Sequence, residues 1–357
     1  MRNEDILKRR LYNHRLTGSG FEQPAQVVGW LGAVQAQDYP AAKWALGLRM
    51  QDATDQGIER AFAEGSILRT HVLRPTWHFV TPADIRWLLA LTAPRVHAAN
   101  AHYYHREGLD EQVFRRSQTA LVKALQGGKH LTRKELSEVL EGEGISTQGL
   151  RLALIVMQAE LEGVICSGPK RGKQYTYALL DERVPQIGQI EREEALARLT
   201  LRYFTSHGPA TVHDFAWWSG LTVAEARRGI EITMPELEEE IVEGISYWLS
   251  PTGLAGTGGP VTAHLLPPYD EYIIAYKERD PVLDPKRAVI PQNAIFSGVI
   301  EAGGLAVGNW SRSLGQGTVS VDLKPFRGLT EAEAEDVEAA ARRYAGFLGV
   351  ELDVQWG

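Results

Sequence analysis

The chain has 357 residues, 44% of them hydrophobic, with 38 basic against 45 acidic side chains and a formal net charge of −7. That length suits two or three cores rather than one, and the apolar content is ample to fill them. A single cysteine, Cys166, excludes an intrachain disulfide framework, and no Cys/His spacing has the look of a zinc finger. Residues 1–16 are charged and offer no apolar run long enough for a signal peptide or membrane anchor, so a cytoplasmic protein with no membrane partner is expected.

Net acidity alone argues against a nucleic-acid partner, because phosphate binding rests on clustered Lys and Arg. The distribution weakens that objection. Between Gln112 and Lys134 lie Arg115, Arg116, Lys123, Lys129, Arg133 and Lys134 with no acidic residue, whereas Glu231–Glu243 holds six glutamates and no Lys or Arg. One face can be basic while the whole is acidic.

A basic N-terminal helix carries Ile6, Leu7 and Leu11. Pro24–Tyr39 reads as one helix, opened by proline and ended before Pro40. At its end two amides and a carboxylate, Gln35, Gln37 and Asp38, follow the apolar Val27, Val28, Trp30, Leu31 and Val34, where a core helix would carry Leu or Ala. A helix over Gln56–Glu64 stops at Gly65, and Ile67–Leu73 and Thr76–Val80 read as strands interrupted by Arg74-Pro75. Two helices followed by a hairpin outline a winged helix.

The outline recurs twice. Val113–Leu125 is a helix, the capping box Thr132-Arg-Lys-Glu135 starts another, and Gln148–Leu161 is a third. Val164–Ser167 and Gln174–Leu180 then form a strand pair around Gly168-Pro-Lys-Arg-Gly-Lys173, a basic tip suited to backbone phosphates. The third copy begins with Glu191–His207 and continues through the capping boxes Thr211-Val-His-Asp214 and Thr222-Val-Ala-Glu225, with Ser219-Gly220-Leu221 as the tight turn between crossing helices. From about Thr262 the texture changes: Leu265–Tyr276 is apolar and aromatic, and Ala294–Leu323 alternates with many glycines, as strands do. A capped helix from Thr330-Glu-Ala-Glu333 and a strand Val350–Gln355 finish the chain.

The fold class is therefore α+β: three tandem winged-helix (helix-turn-helix) units followed by a C-terminal β-rich region. The expected divisions are 1–110, 111–185, 186–260 and 261–357, the first holding the Gln-x-Gln motif.

There is no Walker loop, dinucleotide glycine fingerprint or HExxH helix. His97, His102 and His105 lie close in sequence, but only the last pair shares a helical face and no third ligand has a clear spacing, so a solvated helix face outweighs a metal site. Neither a metal nor a cofactor is expected.

Four stretches, in order, carry a resemblance that spans nearly the whole chain. They are Val34-Gln-Ala-Gln-Asp-Tyr-Pro40 with Trp44; Leu68-Arg-Thr-His-Val-Leu-Arg-Pro-Thr-Trp-His78; Gly208-Pro-Ala-Thr-Val-His-Asp-Phe-Ala-Trp-Trp-Ser-Gly220; and Leu266-Pro-Pro-Tyr-Asp-Glu-Tyr272 with Tyr276-Lys-Glu-Arg279. Together they resemble the tandem winged-helix DNA glycosylases of the AlkZ/YcaQ type. The resemblance implies excision of alkylated purines, including bulky adducts and interstrand crosslinks, from double-stranded DNA by a Gln-x-Gln pair that maps onto Gln35 and Gln37. Part of the family carries Gln-x-Asp, so this chain looks closer to the AlkZ branch. A monomer, nucleoid-associated when acting, is the default for such repair enzymes.

Those residue types suit that chemistry. A glutamine has no usable pKa and cannot be a general base, but it can hold a water and steady a developing positive charge with its carbonyl dipole. That suffices only for a good leaving group, such as an N3- or N7-alkylated, cationic purine. Asp38 is the rival base, yet an extended or frayed end turns Gln35 and Gln37 together and Asp38 away, so a helix-end or turn role is the better reading. Arg74, Thr76 and His78 alternate on a short strand and can face one side, toward a phosphate or the lesion or into an ion-paired core. Lys170, Arg171 and Lys173 are candidate phosphate contacts, as are Arg133 and Lys134 in the basic run. Trp217-Trp218 is most simply packing, and Asp270 with Lys277 and Arg279 a structural salt bridge.

Two other classes compete: a winged-helix regulator or architectural DNA binder without chemistry, and a protein-interaction scaffold, which the acidic charge would suit.

Overall fold

The computed structural model describes residues 2–186, 188, 190–251, 263–279, 282 and 297–357. The expected boundary near 260 lies outside them, as does the start of the glycine-rich segment at 294–296.

In chain order the elements are α1 (Asn3–Asn13), α2 (Pro24–Leu31), β1 (Val34–Gln35), α3 (Tyr39–Gly47), α4 (Asp55–Glu64), β2 (Leu68–Val72), β3 (Arg74–Val80), α5 (Ile85–Arg106) and α6 (Glu111–Leu125). They continue with β4 (Leu131–Thr132), α7 (Arg133–Gly142), α8 (Arg151–Leu161), β5 (Ile165–Arg171), β6 (Gln174–Leu179), α9 (Leu180–Arg183), α10 (Arg192–Ser206), α11 (Val212–Ser219) and α12 (Val223–Thr233). A short 3-10 turn (Met234–Glu236) precedes β7 (Glu238–Val242), β8 (Ile245–Leu249), β9 (Ala263–Leu266), α13 (Glu271–Ile274), β10 (Gly298–Ala302), β11 (Leu305–Leu314), β12 (Thr318–Pro325), α14 (Glu331–Leu348) and β13 (Glu351–Trp356). The α+β class read from the sequence holds.

Contacts gather these elements into two compact units that do not follow sequence order. The first collects Met1–Glu59, Ala197–Trp218 and Thr222–Gly357; the second Arg60–Leu196 with Ser219–Leu221.

In the first unit a five-stranded sheet runs β13-β12-β11-β10-β9, antiparallel except for the parallel β12–β13 pair. Its strands form because apolar and polar residues alternate: Val319, Val321 and Leu323 of β12 are fully buried while their neighbours are not. Helix α14 starts at the Thr330/Glu333 capping box and ends at the left-handed Gly349. It brings Tyr344 and Phe347 onto Trp44 of α3, with ring centroids 5.0 and 5.1 Å apart. The Trp44 indole N–H reaches the Leu265 carbonyl at 2.7 Å, so α3 is keyed to β9 by a directed bond as well as by packing. The same unit holds α12, most of α10 and α11, and the β7/β8 hairpin, where Ala210 pairs with Trp248 through two backbone bonds of 3.0 and 2.8 Å.

In the second unit α6, β4, α7, α8, β5 and β6 follow one another, and the short β4 pairs with β6 in a sheet ordered β4-β6-β5. Thr132 and Glu135 bond reciprocally to start α7, as their spacing predicts. The β2/β3 hairpin and the long helix α5 belong to this unit too.

Three local expectations are corrected. Pro24–Tyr39 is not one helix: α2 stops at Leu31 because Gly32 takes φ +86°, and a Cβ there would lie 3.1 Å from the Arg202 chain. The break between β2 and β3 is Leu73, at φ +63°, and Arg74-Pro75 opens β3 rather than interrupting it. Gly168–Arg171 is strand, with a bulge before Arg171, so the turn is confined to Gly172-Lys173. Helix α5 escaped the periodicity reading because its first half is buried around most of its circumference and Pro94 sits inside it.

Candidate active site in the first unit

Since α2 ends at Leu31, the chain crosses to α3 through the two-residue strand β1 and a bend at Gln37 and Asp38, and the two glutamines lie on this link rather than on a helix end. Here Ala36 is buried, Gln35 half-buried and Gln37 exposed. The link is fixed from behind. The Gln35 backbone N–H donates to the Glu271 carboxylate (Oε1) at 2.7 Å.

Asp38 sits where α3 begins. Its backbone is extended (φ −94°, ψ 99°), its Oδ1 accepts the Ala41 N–H at 3.1 Å, and its carbonyl accepts the Ala42 N–H at 2.9 Å. That is an N-cap, and Pro40 in the first turn, where no N–H is needed, is the sequence signal for it.

Glu271 is completely buried. Its Oε2 accepts the Trp218 indole N–H at 2.9 Å and lies 3.8 Å from His207 Nε2. Its neighbour Asp270 caps α13 and forms a two-pronged ion pair with Arg49, whose Nη1 and Nη2 reach the two carboxylate oxygens at 2.9 and 2.8 Å. Arg49 also donates to the His14 carbonyl (2.9 Å) and the Ala45 carbonyl (2.8 Å). The partner of Asp270 is therefore Arg49, not Lys277 or Arg279 as the sequence suggested. Those two sit elsewhere: the Lys277 N–H donates to Asp214 Oδ1 at 2.8 Å, and Arg279 Nε donates to the Ile273 carbonyl at 3.2 Å.

Around these carboxylates stands an aromatic shell of His14, Tyr203, His207, Trp218, Tyr272 and Tyr276. The Tyr276 hydroxyl donates to the His207 carbonyl at 2.7 Å, so it must accept from His14 Nε2, 2.8 Å away. His14 thereby carries its proton on Nε2. Burial, then the like charge of His207, then Arg49 and Arg10 hold the His14 pKa well below the ordinary histidine value. Burial also lowers that of His207, against a smaller opposing pull from Glu271. Both imidazoles are neutral at neutral pH.

The other sequence candidates lie in the second unit. Arg74 and Thr76 on β3 are half-buried, and His78 is fully buried with Nδ1 2.9 Å from the Thr76 carbonyl. Arg171 donates to Glu135 Oε1 (2.8 Å) and to the His130 carbonyl (2.6 Å), and so braces α7. Glu135 is held down at about 2, first by the Thr132 N–H and then by Arg171. Lys134 lies 3.7 Å from Glu138 on the exposed face of α7, and Arg133, at the start of the same helix, is exposed as well. Lys173 is exposed on the turn itself. Lys170 stands over the Tyr175 ring at 5.5 Å, and Arg69 over Trp77 at 4.3 Å and Tyr175 at 5.1 Å, a cation–aromatic row that sequence reasoning missed.

Glu271 and Arg49 were missed as well. The available signal was a glutamate and an aspartate inside the apolar Leu265–Tyr276, since a carboxylate in a core segment calls for a dedicated partner. Among the described residues no group of His, Cys, Asp or Glu has a metal-binding arrangement, and no helix is long and apolar enough to cross a membrane.

The chain is thus an α+β protein whose candidate site sets two uncharged amides on a short link backed by a buried carboxylate. The family model for AlkZ-like DNA glycosylases matches residues 28–347, and the chain belongs to that family of N-glycosyl hydrolases acting on DNA. The chain is 26% identical over 344 residues, 91% of each protein, to the interstrand DNA cross-link repair glycosylase of Streptomyces sahachiroi. The solved structure of Streptomyces sahachiroi DNA glycosylase AlkZ shares the fold, with a TM-score of 0.82, 24% identity and coverage of 99% of both chains.

Proposed function

We propose that this DNA glycosylase removes N3- and N7-alkylated purines, bulky and crosslinked adducts among them, from double-stranded DNA, with Gln35 and Gln37 positioning the attacking water. The observation that carries this reading is the commitment of Asp38 to the α3 N-terminus. With that carboxylate engaged by the Ala41 N–H, the groups left on the link are amides, and an amide chemistry needs a leaving group that is already activated. An alkylated purine is one. The C1′–N bond breaks, its electron pair neutralises the cationic base, water oxygen bonds to C1′, and the surplus water proton passes to solvent. The glutamine carbonyls orient the water and face the positive charge that develops on the sugar.

Crosslinked substrates enter because the relative from Streptomyces sahachiroi carries that activity in its name. The repeated three-helix and hairpin order supports a tandem winged-helix reading of the DNA-binding scaffold, in which the cationic residues of the second unit meet phosphates and position the duplex. Of the β3 candidates, Arg74 and Thr76, half-buried, would meet a phosphate, whereas the fully buried His78 supports the strand. We take the working species to be a monomer in the cytoplasm. No lysine stands on the Gln35–Gln37 link, so the product is an abasic site without strand cleavage.

The test is base release from duplexes carrying 7-methylguanine or a purine–purine crosslink. Release of the free base with the backbone intact supports the reading, and the absence of release from either duplex overturns it.

A further inference from the structure

We propose that Glu271 is a positioning residue for base release: its carboxylate clamps the Gln35–Gln37 link by accepting the Gln35 N–H on one oxygen, and is itself oriented by the Trp218 indole on the other. The inference rests on the proposed chemistry of the two glutamines.

The geometry singles this carboxylate out. Both oxygens accept, at 2.7 Å from Gln35 N and 2.9 Å from Trp218 Nε1, and the residue is wholly buried. A buried carboxylate is costly to desolvate, whereas a backbone N–H at a turn can be satisfied by any carbonyl. What a carboxylate adds is two acceptors on one rigid plane. The plane ties the backbone of the catalytic link to the indole of α11, so the link cannot slide along its own axis without losing a charge-assisted bond. Glu271 is held in turn. Asp270, the preceding residue, is locked by both Arg49 nitrogens, and the Trp217 indole donates to the Ile274 carbonyl at 3.1 Å, one turn further along. The short α13 thus enters the site pinned at both ends. His207 Nε2 lies 3.8 Å from Glu271 Oε2, beyond hydrogen-bond distance, whereas the Trp218 and Gln35 donors lie within it.

A displacement of about 1 Å in a water-positioning group can cost about a hundredfold in rate. An amide in place of the carboxylate keeps the shape but has one acceptor for two donors, so one of the two bonds must break. Removing the indole N–H should then give the remaining acceptor back to Gln35.

The experiment compares wild type, Glu271→Gln, Trp218→Phe and the double variant. It measures single-turnover release of 7-methylguanine at saturating enzyme, duplex Kd, thermal midpoint and amide hydrogen exchange at Gln35. Expected for Glu271→Gln are a rate constant about 10- to 100-fold lower, a duplex Kd within about twofold of wild type and faster exchange at Gln35. The double variant should recover about tenfold of the lost rate and the slow exchange. Rescue of rate without change in Kd is not expected of a residue that merely supports the fold. If Glu271→Gln turns over as wild type, or loses rate that the double variant does not restore, or exchanges normally at Gln35, the clamp is wrong. If wild type itself releases no base, the underlying chemistry falls and this inference with it; an active wild type beside a fully active Glu271→Gln overturns the inference alone.

Discussion

Arg49 and Asp270 face each other as a planar, two-pronged pair at 2.8 and 2.9 Å, 1% and 0% exposed, between the end of α3 and the start of α13. Removing one partner leaves a buried charge uncompensated, which costs about 3–5 kcal/mol. Arg49→Met and Asp270→Asn should each lose stability on that scale by urea denaturation. The double variant should lose less than the two single losses added, because neither charge is then stranded. Additive losses would mean that the pair is not coupled.

Asp38 offers a separation of roles. As the N-cap of α3 it should tolerate Asn, which caps equally well, while Ala should cost about 1 kcal/mol. Asp38→Asn should therefore keep base release within a few-fold of wild type. Gln37→Ala, which removes a positioned dipole, should slow release by about 10²- to 10³-fold with little change in DNA affinity. An inactive Asp38→Asn with unchanged stability would return the general-base role to the carboxylate.

His14 and His207 predict the acid limb of stability. Both have folded pKa values below the ordinary 6.5, chiefly through burial, with Arg49 facing each of them, Arg10 facing His14 and Glu271 facing His207. The native state stays neutral where the unfolded chain takes up protons. Stability is thus complete above about pH 6.5 and falls as pH drops below it, by up to about 1.4 kcal/mol per unit for each histidine. Urea midpoints from pH 7.5 to 5 should show this slope, and His14→Gln should flatten it by about one proton. A flat profile between pH 6.5 and 5 would contradict the neutral, buried assignment.

Lys173 and Arg171, two positions apart, should behave differently. Lys173 is exposed on the turn between β5 and β6, and its change to Ala should lower the slope of log Kd against log salt by about 1 without altering the thermal midpoint. Arg171 is engaged with Glu135 and the His130 carbonyl, so Arg171→Ala should loosen the start of α7. An unchanged salt slope for Lys173→Ala would remove the turn from the DNA contact surface.

What the sequence determined by itself was whatever depends on near neighbours along the chain. The capping boxes at Thr132/Glu135, Thr211/Asp214, Thr222/Glu225 and Thr330/Glu333 all form, because residues three apart at a helix start meet regardless of what packs around them. The α+β class and the repeated helix and hairpin order were legible for the same reason, and Gln35 and Gln37 stood out as amides after an apolar run. Tertiary structure decided where α2 ends, since the side chains that crowd Gly32, Arg202 and Trp218, come from far along the sequence. It also decided the partner of Asp270, 221 residues away at Arg49, and the anchor of the Gln35–Gln37 link, 236 residues away at Glu271. No periodicity encodes such pairs: a buried carboxylate announces in sequence that it needs a donor, and only the folded chain brings the donor to it.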